Sequence, residues 1–113
     1  MNDVIKKIKN QIKVNPIIIY MKGSPNSPSC GFSSQAIEAL SKCGKKFAYV
    51  DVLENPDIRL ELPKYSNWPT FPQLWINEEL IGGCNIILEL FETGELKRLI
   101  TNSSTEKNIN KNE

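Results

Sequence analysis

Apolar and polar positions along the chain follow two different periods. Ile5, Ile8 and Ile12 fall on one stripe of a helical repeat. The spacing predicts a first helix, capped by Asn2 or Asp3 and ended by Pro16. Ile17–Met21 is an unbroken apolar run of strand length, the pattern of a strand buried on both faces of a sheet. Lys22–Ser29 then carries one glycine, two prolines and three serines, which predicts a loop. From about Cys30 the helical period returns with Phe32, Ala36, Leu40 and Cys43, and Gly44 stands where a helix-terminating glycine belongs. Phe47–Val52 alternates as a strand does. Asn55-Pro56-Asp57 reads as a cap, a first-turn proline and a first-turn acid. Ile58, Leu62 and Tyr65 form that helix's stripe, and Pro63 is expected to close its regular part. Pro72–Ile76 and Leu80–Gly82 predict a hairpin around Asn77-Glu78. Asn85 is expected to cap a helix carrying Ile86, Ile87, Leu90 and Phe91, which Gly94 breaks before a last short helix with Leu96, Leu99 and Ile100.

The predicted order is α-β-α-β-α-β-β-α. A helix joins the first two strands, so they should lie parallel, with a right-handed crossover. The last two should pair as an antiparallel hairpin. The expectation is a four-stranded mixed sheet flanked by helices on both faces, in one α/β domain over residues 1–101. Residues 102–113 are polar and nearly free of apolar side chains, which predicts a disordered tail.

Composition narrows the chemistry. The 113 residues are 40% hydrophobic and 24% charged, with a formal net charge of +1. Neither a nucleic-acid partner nor an anionic membrane surface is favoured by so small a charge. No apolar run is long enough to span a bilayer, and Lys6, Lys7 and Lys9 interrupt any signal-peptide pattern. The cytoplasm is the expected location. Histidine is absent, which removes His-based zinc sites and Cys–His or Ser–His catalytic pairs. Three cysteines without paired spacing do not make a disulfide scaffold.

Among these cysteines Cys30 stands apart. A Gly/Pro/Ser-rich loop leads from a buried strand to Cys30 at a helix start. Unpaired backbone N–H groups and the positive end of the helix dipole favour thiolate there. A Cys-x-x-Cys redox motif needs a second thiol one turn on, and Ser33 occupies that position. Cys43 lies at the far end of the same helix, about 20 Å away at the helical rise, whereas a disulfide needs Cα atoms within about 7 Å. Cys30 must work with an external thiol or with a metal centre.

Lys22, Cys30-Gly31-Phe32-Ser33, Trp68-Pro69-Thr70-Phe71-Pro72 and Gly82-Gly83-Cys84 occur in this order and spacing. Together they resemble the signature of monothiol glutaredoxins of the single-domain bacterial type, over about residues 1–101. The resemblance implies a thioredoxin-like fold and a glutathione site. Lys22 and Arg59 match the family's positions for the glycine carboxylate. Phe71-Pro72 matches its cis-proline step, where the backbone of Thr70 and Phe71 meets the tripeptide as an added strand would. Gly83, Cys84 and Asn85 open a helix whose free N–H groups suit the second carboxylate. The family's pattern has Asp at the position of Asn85, so here the glutathione ammonium would meet a neutral amide.

The resemblance further implies an iron–sulfur carrier. A two-iron cluster commonly takes four thiolates. In the arrangement the family implies, two Cys30 and two glutathione thiols hold a 2Fe-2S cluster between the protomers of a homodimer, for transfer to client apoproteins. A BolA-like protein is an implied partner, one that would bring the histidine this chain lacks. The competing expectation is a glutathione-dependent thiol–disulfide oxidoreductase acting through Cys30 alone, with weak turnover. A third is a redox sensor glutathionylated at Cys30.

Overall fold

The first helix, α1 (Asp3–Val14), starts where the sequence placed a cap, with the Asn2 side chain accepting the Ile5 N–H at 2.7 Å. Its stripe buries Ile8 and Ile12. The computed structural model describes residues 2–103. Strand β1 (Ile17–Met21) is buried at every position. A short hairpin of β2 (Gly23–Ser24) and β3 (Ser27–Pro28) follows, where the sequence predicted only a loop. The second helix, α2, spans Gly31–Ser41. Strand β4 (Ala48–Asp51) is shorter than the predicted Phe47–Val52. Next come α3 (Pro56–Ser66), β5 (Gln73–Ile76), β6 (Glu79–Gly82), α4 (Cys84–Thr93) and α5 (Glu95–Thr101).

The four main strands form a mixed sheet in the order β4-β1-β5-β6. β1 runs parallel to β4 and antiparallel to β5, with Ile18 opposite both Ala48 and Trp75. The β5–β6 hairpin turns through Asn77 and Glu78, both in the left-handed region (φ 52° and 68°). That geometry matches the right-handed twist of the flanking strands. Because side chains alternate across a strand, β1 feeds two cores. Ile17, Ile19 and Met21 pack under α2, α4 and α5 with Leu40, Ile87 and Ile100. Ile18 and Tyr20 pack under α1 and α3 with Ile8, Ile58 and Leu62. Each such aliphatic side chain contributes about 1.5–3 kcal/mol by leaving water.

Several expectations need correcting. α3 runs through Pro63 to Ser66. Proline costs the bond its missing N–H would have made to Arg59, but the buried stripe of Ile58 and Leu62 keeps the helix against the sheet. Tyr65, expected on that stripe, is exposed. Asn55 is the cap of α3 by backbone only; its side chain donates instead to the Asp51 carbonyl. Phe32, counted on the core stripe of α2, is 63% exposed. Asn85 does not cap α4. Gly83 does, and Asn85 sits in the first turn. Two residues of the segment predicted as a tail, Asn102 and Ser103, are part of the described fold. Asn102 caps α5, and Ser103 is 1% exposed, with its hydroxyl held by the Lys45 ammonium and the Ile100 carbonyl. The rest of that segment, 104–113, lies outside the described residues. Among the described residues, no helix is long and apolar enough to cross a membrane.

Candidate functional site

The hairpin between β1 and α2 fixes where Cys30 stands. Gly23 has φ +91°, and a Cβ on it would fall 2.5 Å from the Ser27 carbonyl oxygen and 2.6 Å from the Ser29 nitrogen. Only glycine fits so tight a return. Its N–H donates to Asp51 Oδ1 at 2.9 Å, and the Ser29 N–H donates to the Lys22 carbonyl at 2.9 Å. The loop is thereby tied to the sheet edge at one end and closed on itself at the other.

Cys30 is the N-cap of α2, in extended conformation, and its sulfur accepts the Ser33 N–H at 3.4 Å. Ser33 is fully buried. Its hydroxyl oxygen accepts the Lys22 N–H at 3.1 Å and lies 3.4 Å from Cys30 Sγ, placed to donate to a thiolate. Burial pushes the Cys30 pKa up. The Ser33 hydroxyl, the Ser33 N–H, the Lys22 charge and the Phe32 N–H outweigh it, and the thiol is held below its ordinary value. Ser33 thus has a role beyond failing to be a cysteine.

The other two cysteines differ. Cys84 is buried at the start of α4, with its thiol 3.9 Å from Gln35 Oε1. Burial raises its pKa, and the nearby Cys30 charge raises it further. Cys43, just beyond the end of α2, donates to the Ala39 carbonyl at 3.5 Å. Burial raises its pKa, with Lys97 opposing. All three are free thiols. Among the described residues, no group of three or more His, Cys, Asp or Glu could hold a metal ion within one chain.

A cleft of about 680 Å³ lies beside Cys30. Of the residues expected at a binding site, Lys22, Arg59, Thr70, Phe71, Gly83, Cys84 and Asn85 all line it. They come from four separate segments of the chain. Cys30 itself is not part of this lining; three lining residues, Lys22, Phe32 and Cys84, interact with it. The Phe71–Pro72 bond is cis, and Pro72 is buried and not part of the lining. A Cβ on Gly83 would come within 3.2 Å of the Pro72 carbonyl oxygen and 3.4 Å of the Trp68 indole nitrogen. Glycine at 83 therefore lets α4 begin hard against the cis-proline segment. The lining carries two cations, Lys22 and Arg59, and no carboxylate. The first turn of α4 adds unpaired backbone N–H groups. Such a cleft suits an extended anionic ligand.

Some participants escaped the sequence reading. Phe32, Pro63, Pro69 and Ile86 also line the cleft. Phe32 shares its helical period with core residues, so periodicity alone assigned it inward; its place beside Cys30 was the better signal. Gln73 is fully buried beneath the loop at 68–70. A glutamine leading an otherwise apolar strand was the available signal.

A glutaredoxin family model matches residues 17–81. Glutaredoxin 4 of Buchnera aphidicola subsp. Baizongia pistaciae is 79% identical over 101 residues, which is 89% of this chain and 94% of that protein. Glutaredoxin 4 of Escherichia coli strain K12 is 64% identical over 100 residues, 88% of this chain and 87% of that protein. The solution structure of reduced poplar apo GrxS14 superposes with a TM-score of 0.74 at 36% identity, covering 87% of this chain and 90% of that one.

Proposed function

The chain belongs to the glutaredoxin family, as a single-domain monothiol member with a thioredoxin-like fold, and from that premise we propose that it is an iron–sulfur cluster carrier. In this reading Cys30 supplies one thiolate per protomer and bound glutathione supplies another. Two protomers then hold a 2Fe-2S cluster as cargo and release it to client apoproteins. The observation that carries the reading is the state of Cys30. Its thiolate is favoured by Ser33 and Lys22, no thiol stands at position 33, and a cationic cleft opens beside it. A thiolate is the form that binds soft metals.

Glutathione fits the cleft by charge and by shape. Lys22 and Arg59 match one carboxylate, and the start of α4 at Gly83 and Cys84 matches the other. The backbone at Thr70 and Phe71, fixed by the cis step to Pro72, is where the peptide portion would pair. Asn85 is left for the ammonium. Exchangeable glutathione ligands suit delivery better than storage. A BolA-like partner belongs to the same proposal, since it would bring histidine to a site whose own chain has none. So does a cytoplasmic setting, in which reduced thiols such as the three here persist.

Anaerobic reconstitution with iron, sulfide and glutathione tests the proposal. The expected product is a coloured dimer that falls to colourless monomer when glutathione is removed. A coloured monomer, or a dimer indifferent to glutathione, would overturn it. The lowered pKa of Cys30 also favours a second reading, a glutathione-dependent reductase of mixed disulfides, because thiolate is the attacking form. Rapid turnover in a glutathione-coupled disulfide assay, with no cluster formed, would put that reading first.

A further inference from the structure

Gln73 has no exposure to solvent, on a strand otherwise made of Leu74, Trp75 and Ile76. A buried side-chain amide is tolerated when its donors and acceptor are satisfied. Here all of them are. Its Nε2 donates to the Trp68 carbonyl at 2.9 Å and to the Thr70 carbonyl at 3.3 Å. Its Oε1 accepts the indole N–H of Trp75 at 3.3 Å. The orientation follows from chemistry, because an indole nitrogen only donates. Trp75 claims the oxygen, and the two hydrogens of the NH2 group turn to the two loop carbonyls.

Those carbonyls belong to the segment between α3 and β5, whose Trp68, Thr70 and Phe71 line the cleft. In a trans peptide unit the C=O and the following N–H point opposite ways. The Thr70–Phe71 bond is trans, the cis bond being the next one. With the Thr70 carbonyl drawn inward to Gln73, the Phe71 N–H is directed away from Gln73. We propose that Gln73 is the positioning residue of the cleft. It is not part of the cleft lining, and by holding the 68–71 backbone with two carbonyls inward it presents the Phe71 N–H to a peptide-like ligand. The identity of that ligand as glutathione rests on the function proposed above; the anchoring of the loop does not.

The test uses S-methylglutathione, which has no free thiol to oxidise, in titration calorimetry, together with 15N order parameters of the loop amides. Gln73→Leu should bind about tenfold more weakly, since binding must then order the loop. The order parameters of Thr70 and Phe71 should fall from about 0.85 to below about 0.6. Ile100→Val, in the core on the opposite face of the sheet, should lower the melting temperature and leave both readouts unchanged. Gln73→Glu supplies a rescue. A carboxylate has no hydrogen for the Trp68 and Thr70 carbonyls, whereas its protonated form has one, and burial favours that form. Its affinity should therefore recover as pH falls from about 8 to about 5, with no matching change in the wild type. The cross-strand neighbour Tyr20 stays neutral throughout, its pKa pushed up by burial and then by Tyr65. Unchanged affinity and loop order in Gln73→Leu would overturn the proposal, as would the absence of acid rescue in Gln73→Glu should the leucine variant fail to fold. If the wild type does not bind S-methylglutathione, the glutathione reading falls, and loop order in Gln73→Leu against Ile100→Val still decides the role of Gln73.

Discussion

Two helices begin beside the same cleft with a cysteine at or next to the cap, and they treat it in opposite ways. At the start of α2, Cys30 is the cap itself. Its sulfur accepts a backbone N–H, faces the Ser33 hydroxyl and feels the Lys22 charge, so its pKa falls. At the start of α4, Gly83 is the cap and Cys84 comes one residue later, inside the helix. The Cys84 sulfur is buried, its pKa rises, and the charge on Cys30 helps to raise it. A place at a helix start therefore does not by itself lower a thiol's pKa, since burial raises that of Cys84. One residue of displacement decides whether the sulfur replaces a missing hydrogen-bond partner or is packed away while the backbone takes that task. The two starts divide the work: α2 offers a sulfur and α4 offers N–H groups.

The sharpest way to break this comparison is to remove each sulfur in turn. Cys30→Ser should abolish cluster binding, because an alcohol is a poor soft-metal ligand. Cys84→Ser and Cys43→Ser should retain it. Iron and sulfide content of the three reconstituted variants decides the matter, and equal loss in all three would show the site to be misplaced.

A substitution at the cap of α4 comes next in size. Gly83→Ala inserts a methyl between the Pro72 carbonyl, at 3.2 Å and tighter than ordinary contact, and the Trp68 indole, at 3.4 Å and the near edge of it. Neither neighbour is the free end of a flexible side chain. We expect a loss of about 1–3 kcal/mol in urea unfolding, the usual cost of overpacking, and weaker glutathione binding with it. Gly31→Ala, at a position with open space around it, is the control and should cost far less.

At the start of α2 the hydroxyl of Ser33 can be removed. Ser33→Ala should move the midpoint of Cys30 alkylation by iodoacetamide to higher pH and slow the reaction at neutral pH several-fold, for a bond of about 1 kcal/mol. Alkylation of Cys84 should not respond. The sign in stability is fixed as well. A thiol whose folded pKa is lowered stabilises the fold above its ordinary pKa, and that contribution is lost as pH falls through the folded value. The wild type's advantage over Ser33→Ala should accordingly widen in alkali. An unmoved midpoint would remove Ser33 from the account of Cys30.

The smallest effect concerns Asn85, in the first turn of α4. Asn85→Asp leaves the Gly83 cap untouched and, under the proposed function, sets a charge opposite the glutathione ammonium. An exposed charge pair is worth about 0.2–1 kcal/mol, so binding should tighten at most about fivefold. The gain should shrink with added salt and vanish for an analogue without the amino group. Weaker binding, or an equal effect on the analogue, would turn residue 85 away from the ammonium.

Much of this was legible in the residues. The five-residue run Ile17–Met21 announced a strand buried on both faces, and Asn77-Glu78 announced the β5–β6 hairpin. The motif around Cys30 announced the activated thiol. What the residues did not show has a different cause in each case, and periodicity reports only spacing along an element. Phe32 keeps the period of Ala36 and Leu40, yet its side chain is exposed and lines the cleft. Asn85 is a better side-chain cap than glycine by propensity, yet α4 starts at Gly83, close against the Pro72 carbonyl. Pro63 reads as a stop, yet a buried stripe outweighed one lost hydrogen bond.

The sheet order has a consequence for synthesis. β1 is made early, but its two neighbours are β4, some thirty residues on, and β5, whose Ile76 pairs with Ile17. Until the ribosome has released the chain to that point, Ile17–Met21 has at least one bare hydrogen-bonding edge. Such a strand is an aggregation hazard in a half-made chain. The cleft, which draws on residues from Lys22 to Ile86, closes only after the last strand pairs. A nascent chain thus carries Cys30 well before it can carry a ligand beside it.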